Sequence, residues 1–595
     1  MKRQMTFNPT PALSLRGRLG GGTHIAKSAL HGLLNLRRTR QTFGRALQSQ
    51  QRYVWLLLLA LILAACGSND GPPRNAAVVN VTANTELTVW LEESVALFNE
   101  EQVETADGNS IFVQLTPQES GQAIVNMSES QELPALWLPD SPVWTNVLAE
   151  QGVTSFQGDC VSTAQSPLVI GMWRPVAEAL GWPGRSLGWL DVGSLAADPS
   201  AWAYYSGGQF GPTLRIGHTH PGLSDSGAST LLAIVQAAQS QADAVSASEI
   251  EQPIVQASVS AFESAVSWFG ADTDTLGRTM SERGASHLGA AVMYESTVVR
   301  YGQNSADGFD IIPVYPFEGT FMATFPACIN SAADAETQEA ATLFRDFLLS
   351  VESQQRAMND GLRPVSSQVI VSAPLDASRG VELTQPEIVF GSPSAQTIYA
   401  VQDLWQAARK DVNLVLLLDV SGSMEGSKIE GMRAAAVQFV EQMGDEDFLT
   451  IIGFSDEPYL YMDRKMVADG REEMISTINA MQANGGTALY DAVGAGAYMI
   501  NESTSSSAAN AMVLLTDGLD TNSIRFTFDD NLFNAATAND TSVFTIAYGD
   551  DADSEILRDL ATRANGNFYQ GDEANIAAIY QDLSAAFGGS LGIGR

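Results

Sequence analysis

Basic residues and cysteines are scarce in this chain, and each shortage closes a route to function. Lys and Arg number 32 against 68 Asp and Glu, a net charge of −36. Ten of those cations (Lys2, Arg3, Arg16, Arg18, Lys27, Arg37, Arg38, Arg40, Arg45 and Arg52) lie in residues 1–65, which hold no Asp or Glu, so the remainder carries −46. A body this acidic repels phosphate backbones, which excludes nucleic acid as the partner and favours solubility and cation affinity. The 51 Gly and 23 Pro are too few and too scattered for a fibrous chain. Long apolar runs are missing as well: Tyr53–Ala65 holds 13 uncharged residues, short of the roughly 20 that a membrane-spanning helix needs. What is there is globular: 45% hydrophobic residues over 595 positions predict two or three domains with full-sized cores.

The run Tyr53–Ala65 follows a basic stretch and ends at Cys66, the layout of an export signal. Leu63-Ala64-Ala65-Cys66 resembles the bacterial lipobox, which implies cleavage before Cys66 and a lipid on its thiol. The alternative is an uncleaved anchor helix, and either places residues 67–595 outside the cytoplasmic membrane. The basic extension is long for such a signal, so a start codon assigned too far upstream is the simplest account of it. With Cys66 lipidated, Cys160 and Cys328 remain, and an even remainder outside the cytoplasm favours one disulfide over two buried thiols.

Residues 66–85 are small and polar and are expected to form a tether. Regular structure is expected from Leu87-Thr88-Val89-Trp90, followed by a helix with Val95 and Phe98 inward and strands at 111–115 and 135–138. That alternation indicates βαβ units. A second group of strands and helices runs from Pro167 to Val299, Ile311–Tyr315 resumes the first, and one long helix is expected over 333–359. Residues 371–410 are expected to be a linker and junction helix, 411–587 a second α/β domain, and 588–595 a tail.

Asn413–Leu418 is a continuous apolar run suited to a strand buried on both faces, with Asp419-Val420-Ser421-Gly422-Ser423 at its C-terminal end. Ile429, Met432, Ala436, Val440 and Met443 then recur at helical spacing. Thr487 in Gly485-Gly486-Thr487 and Asp517 in Thr516-Asp517-Gly518 fall at the same edge of a doubly wound sheet. In order, these elements resemble the von Willebrand factor type A domain and its metal-ion-dependent adhesion site. The resemblance implies a Rossmann-like α/β fold and a metal held by Asp419, Ser421, Ser423, Thr487 and Asp517. Hydroxyls, waters and carboxylates at about 2.1 Å suit Mg²⁺, with Mn²⁺ or Ca²⁺ as alternatives. It also implies an open coordination position that takes a carboxylate from a protein partner. Asp520, nearby, is expected to be a solvated loop residue.

The earlier domain offers hydroxyls at strand-to-helix turns: Ser120, Ser141, and Ser224, Ser226 and Thr230 before an apolar helix. With Leu168–Gly171, Trp189–Asp191 and the closing segment Gln354–Pro364, the order resembles type II periplasmic solute-binding proteins. The resemblance implies a two-lobed domain over 86–370, lobe I being 86–165 and 306–370 and lobe II 166–305. A small polar solute would sit between the lobes against Ser120, Ser141, Ser224, Ser226 and Glu295, and Asp140 and Asp225 favour a neutral or cationic one. Cys160 just before the crossing and Cys328 shortly after the return are placed to meet in lobe I. His218-Thr219-His220 lacks a third zinc ligand and reads as strand residues, and Trp137 and Trp144 read as core or cleft wall. The function expected is extracytoplasmic, lipid-anchored binding without catalysis. An ABC-transporter receptor is the first alternative; a surface hydrolase is the second, although no nucleophile, base and oxyanion set is legible.

Overall fold

The computed structural model describes residues 3–4, 72–73, 75–130, 132–158, 160–303, 305–306, 308–503 and 508–588. Cys66 and the apolar run before it lie outside them. Among the described residues no helix is long and apolar enough to cross a membrane.

Lobe I is a five-stranded sheet in the order Ile111–Pro117, Ala77–Ala83, Leu136–Leu138, Pro326–Ile329, Val161–Ser162. Ala77–Ala83 corrects the expected tether. In Ala77-Val78-Val79-Asn80-Val81-Thr82-Ala83 the residues Val79, Val81 and Ala83 are buried and Asn80 is exposed, a period-two pattern that pairs parallel with strands on both sides. Leu87–Trp90, expected to open regular structure ahead of a helix, runs into that helix itself, Thr88–Glu101, with Trp90, Leu91 and Phe98 buried. Cys160 and Cys328 are joined by a disulfide, Cα to Cα 4.4 Å, beside the strand Pro326–Ile329.

Lobe II is built on Ala164–Trp173, buried along nearly its whole length. Its sheet runs Ile311–Val314, Ala164–Trp173, Ala290–Tyr294, Ile216–Thr219, Val266–Gly270, with Met322–Ala323 and Arg363–Pro364 also paired to Ala164–Trp173. The return to lobe I therefore falls after Ala323, later than expected. The single helix expected over 333–359 is two, Ala335–Leu348 and Val351–Asn359. Ser350 divides them, its hydroxyl accepting from Ser353 N as an N-cap. Nor is the segment after Val365 a free linker: Val369, Leu375 and Val381 pack with Val299 and Met358, and Phe390 N donates to Thr320 O at 2.8 Å.

The C-terminal sheet runs Pro458–Met466, Phe448–Phe454, Val412–Asp419, Ala509–Thr516, Ser542–Tyr548, Phe568–Gly571, parallel except for Pro458–Met466. Arg3–Gln4 adds an antiparallel pairing at that edge. Alternation along Val412–Asp419 feeds two cores: Leu414, Leu416 and Leu418 face Met432 and Phe439, and Val415 and Leu417 face Leu489 and Leu557. Helices thus cover both faces, and the C-terminal strand ends are free to carry a site.

Candidate metal centre and interlobe crevice

Val412–Asp419 delivers Asp419 to the C-terminal edge of the sheet, fully buried. Its Oδ1 accepts from Ser421 N at 2.7 Å and its Oδ2 from Thr516 Oγ1 at 2.6 Å. Burial is the main cause that lifts its carboxyl to about 6. Asp517 follows the neighbouring strand; its Oδ1 accepts from Ser423 Oγ at 2.6 Å, and Ser421 and Ser423 hydroxyls lie 2.9 Å apart. Thr487 joins them over Gly518: a Cβ on that glycine would stand 3.5 Å from Thr487 Oγ1 and 3.9 Å from Ser423 Oγ.

Supporting bonds fix the three loops. Gly422 N donates to Gly485 O at 2.9 Å, tying the first loop to the second. Asp456 accepts from Gly486 N at 2.7 Å and Asn522 Nδ2 at 2.9 Å. Asp520 corrects the expectation of a solvated side chain: it accepts from Leu489 N at 2.9 Å, at the start of the helix Leu489–Ser503. Lys428 was not anticipated. Second in the helix Ser427–Gln442, it sets Nζ 2.6 Å from Asp517 Oδ2.

The donor set is three hydroxyls and two carboxylates, hard oxygens of the kind Mg²⁺ takes. Among the described residues no group of three or more His, Cys, Asp and Glu has a metal-holding arrangement, so a cation here would depend on the hydroxyls.

Residues 413–582 match the family model for the von Willebrand factor type A domain, and residues 79–363 that for bacterial extracellular solute-binding proteins. The chain joins a solute-binding domain to a type A domain. Among curated proteins it is similar to the uncharacterized Synechocystis protein sll0103, 26% identical over 191 residues, 31% of this chain and 44% of that one. It is also similar to human inter-alpha-trypsin inhibitor heavy chain H6, 28% identical over 189 residues, 29% of this chain and 14% of that one. The chain thus spans less than half the length of these relatives. Among solved structures, the periplasmic binding protein AfuA from Actinobacillus pleuropneumoniae covers 56% of this chain and 95% of its own, with 15% identity and a TM-score of 0.39.

In the solute-binding domain the two lobes meet directly. Gly121 N donates to Leu223 O across the crevice at 2.8 Å, an approach only glycine permits, because a Cβ would lie 2.7 Å from that oxygen. Asp140 of lobe I and Asp225 of lobe II share Tyr294, whose hydroxyl donates to them at 2.7 and 3.3 Å. Ser141 Oγ and Trp144 Nε1 donate to Asp225 at 3.2 and 2.7 Å, and Ser120 donates to Asp140. Glu119 lies alongside, bonded by Thr85, Asn84 and Ser224. Burial, then the Asp225 charge, pushes Asp140 up to about 8. Burial likewise raises Glu119 and Asp225, and holds Tyr294 well above its ordinary value.

Ser120, Ser141 and Ser224 are therefore brought to the crevice, with Glu119 and Tyr294 as unforeseen members. Ser226 stands behind Ser224, its Oγ 2.9 Å from that hydroxyl and 2.7 Å from Thr219 Oγ1, and Thr230 donates to Ser226 O. Glu295 is another correction, since Arg363 Nε and Nη2 grip it at 2.7 and 2.6 Å and Tyr315 adds its hydroxyl. His218 pairs with buried Glu263 at 2.9 Å, and His220 packs edge-on against Trp405. A second interlobe tie was missed: buried Glu86 accepts from Ser296 at 2.6 Å and from Thr273 and Thr297 at 2.7 Å, and pairs with Arg300 at 3.1 Å.

Proposed function

We propose that the type A domain binds a divalent cation of the Mg²⁺ class through Asp419, Ser421, Ser423, Thr487 and Asp517, and uses it to hold a carboxylate of a protein partner. The convergence of five oxygen-bearing side chains from three loops at one sheet edge carries this reading. A bound cation would supply Lewis acidity for attachment; the chain's own residues orient the donors. Binding, and no bond cleavage, is the activity assigned. Asp419→Ala in the full chain is expected to remove saturable Mg²⁺ binding, read by calorimetry, with the fold left largely intact by circular dichroism. Equal Mg²⁺ affinity in variant and wild type refutes the assignment.

The solute-binding family match supports an extracytoplasmic location. A lipid on Cys66 is the matching anchor, expected to appear as fatty-acid labelling that Cys66→Ala abolishes. Labelling that persists in the variant refutes it. The crevice is read as the site of a cationic or neutral polar solute, because Glu119, Asp140 and Asp225 line it. A transport receptor remains the second reading, favoured by the two-lobed domain itself.

A further inference from the structure

A cavity of about 550 Å³ lies where lobe II meets the type A domain, away from both the metal centre and the crevice. We infer that it is a binding site for a small organic or inorganic anion carrying two or more negative charges, of the polycarboxylate or pyrophosphate kind. In a chain of net charge −36, three guanidinium groups surround this one space. Arg278 and Arg283 come from the helix Thr273–Arg283 and Arg558 from the helix Ser554–Arg563, one from each domain's side in effect closing on the other.

Arg283 is the anchor. Its Nη2 donates to Asn567 Oδ1 at 2.9 Å across the domain boundary, while its Nη1 is buried with no acceptor. Buried donors of this kind are nearly always satisfied, because an unpaired one pays the full desolvation penalty. Among the described residues Arg278 and Arg558 make no ion pair, and the Asp272 carboxylate acts on Arg278 only from a greater distance. Arg558 instead sets its Cζ 4.1 Å from the centroid of the Phe568 ring. Thr275 and Thr279 add hydroxyls to the lining. Two acids line the same space, Glu282 and Asp582, against three arginines, and burial, then the charge of Asp272, lifts Asp582 to about 6. Guanidinium forks match carboxylate and phosphate oxygens two at a time, so a multivalent oxyanion can engage both domains together.

The test uses the full chain stripped of metal on a chelating resin, so that the metal centre cannot contribute and failure of this site is separable from failure of the adhesion reading. Citrate and inorganic pyrophosphate are titrated by calorimetry at ionic strength held constant with NaCl. One saturable site with a dissociation constant below about 1 mM is expected for at least one of them. Arg278→Ser and Arg558→Ser, both at exposed positions, are each expected to weaken it about tenfold. Hydrogen exchange of Val266–Gly270 and Phe568–Gly571, which flank the cavity from the two domains, is expected to slow when the anion is present. Binding of citrate alone or pyrophosphate alone identifies the headgroup and supports the site. No saturable heat from either anion, or wild-type affinity in both variants, overturns it and leaves a water-filled gap between domains.

Discussion

Lys428 shows what one residue does to the candidate metal centre. Its ammonium, 2.6 Å from Asp517 Oδ2, offsets a fully buried carboxylate in the absence of a cation. The same ammonium opposes a divalent ion beside Asp517, since like charges about 5 Å apart repel by a few kcal/mol even at an effective dielectric of about 20. A cavity of about 270 Å³ next to it is lined by Asp572 and Glu573, which offer Lys428 an alternative place. Lys428→Gln is therefore expected to tighten Mg²⁺ binding by about tenfold, or 1–2 kcal/mol after relaxation, measured by calorimetry. Unchanged or weaker binding would contradict this. The proposed ligand residues were legible because Asp419, Ser421 and Ser423 sit within one turn after a strand, Asp517 follows another, and Thr487 closes a Gly-Gly-Thr loop. Lys428, Asp456 and Glu86 were not, because each acts on a loop or lobe remote in sequence, and an isolated Lys or Glu carries no local pattern.

Among the elements, the crevice is where sequence pattern and structure part most. Helix N-termini at Ser120 and Ser224 were readable from turn residues ahead of apolar runs, and both face the crevice. The carboxylates between them were readable only as charges; their burial is a tertiary fact, and burial determines their protonation. Asp140 is raised to about 8, so below that pH the closed lobes hold it protonated. A cationic solute needs it ionised, and binding must then release a proton, so affinity rises as pH rises from about 6 to 8 and levels off above. With putrescine as probe, calorimetry in buffers of different ionisation enthalpy should register proton release and a slope of log affinity against pH of up to about one. A flat profile, or proton uptake, would rule out Asp140 as a counter-charge. The strand Ala77–Ala83 was missed for a related reason: its alternation is carried by Val and Ala within a polar neighbourhood, which composition alone reads as a tether. Ser350 likewise starts a new helix, Val351–Asn359, through an N-cap hydrogen bond that helical periodicity does not register.

At the scale of the whole molecule, one apolar cluster runs from Val79 through Trp405 to Leu583, so the two domains share a core. The junction helix Ala395–Ala408 places Ile398, Val401 and Trp405 in that cluster. Beyond it Arg409 grips Asp447 with two bonds, Nη1 to Oδ1 at 3.0 Å and Nη2 to Oδ2 at 3.1 Å. Asp447 also accepts from Val412 N at 2.9 Å and Gly444 N at 2.8 Å, so a single carboxylate aligns the junction, the central strand and the turn before Phe448. Asp447→Ala strands a guanidinium whose side chain is 4% exposed and is expected to cost about 3–5 kcal/mol, read as a lower denaturation midpoint of the full chain. Replacing both partners, Arg409→Met with Asp447→Leu, removes the stranded charge and should recover part of that loss. Recovery stays incomplete because Val412 N and Gly444 N still lose their acceptor. A double variant as damaged as Asp447→Ala alone would mean that the backbone bonds, and not the ion pair, hold the junction. A loss below about 1 kcal/mol in the single variant, the range of a surface pair, would mean that the junction opens to water and the domains are coupled by apolar contact alone.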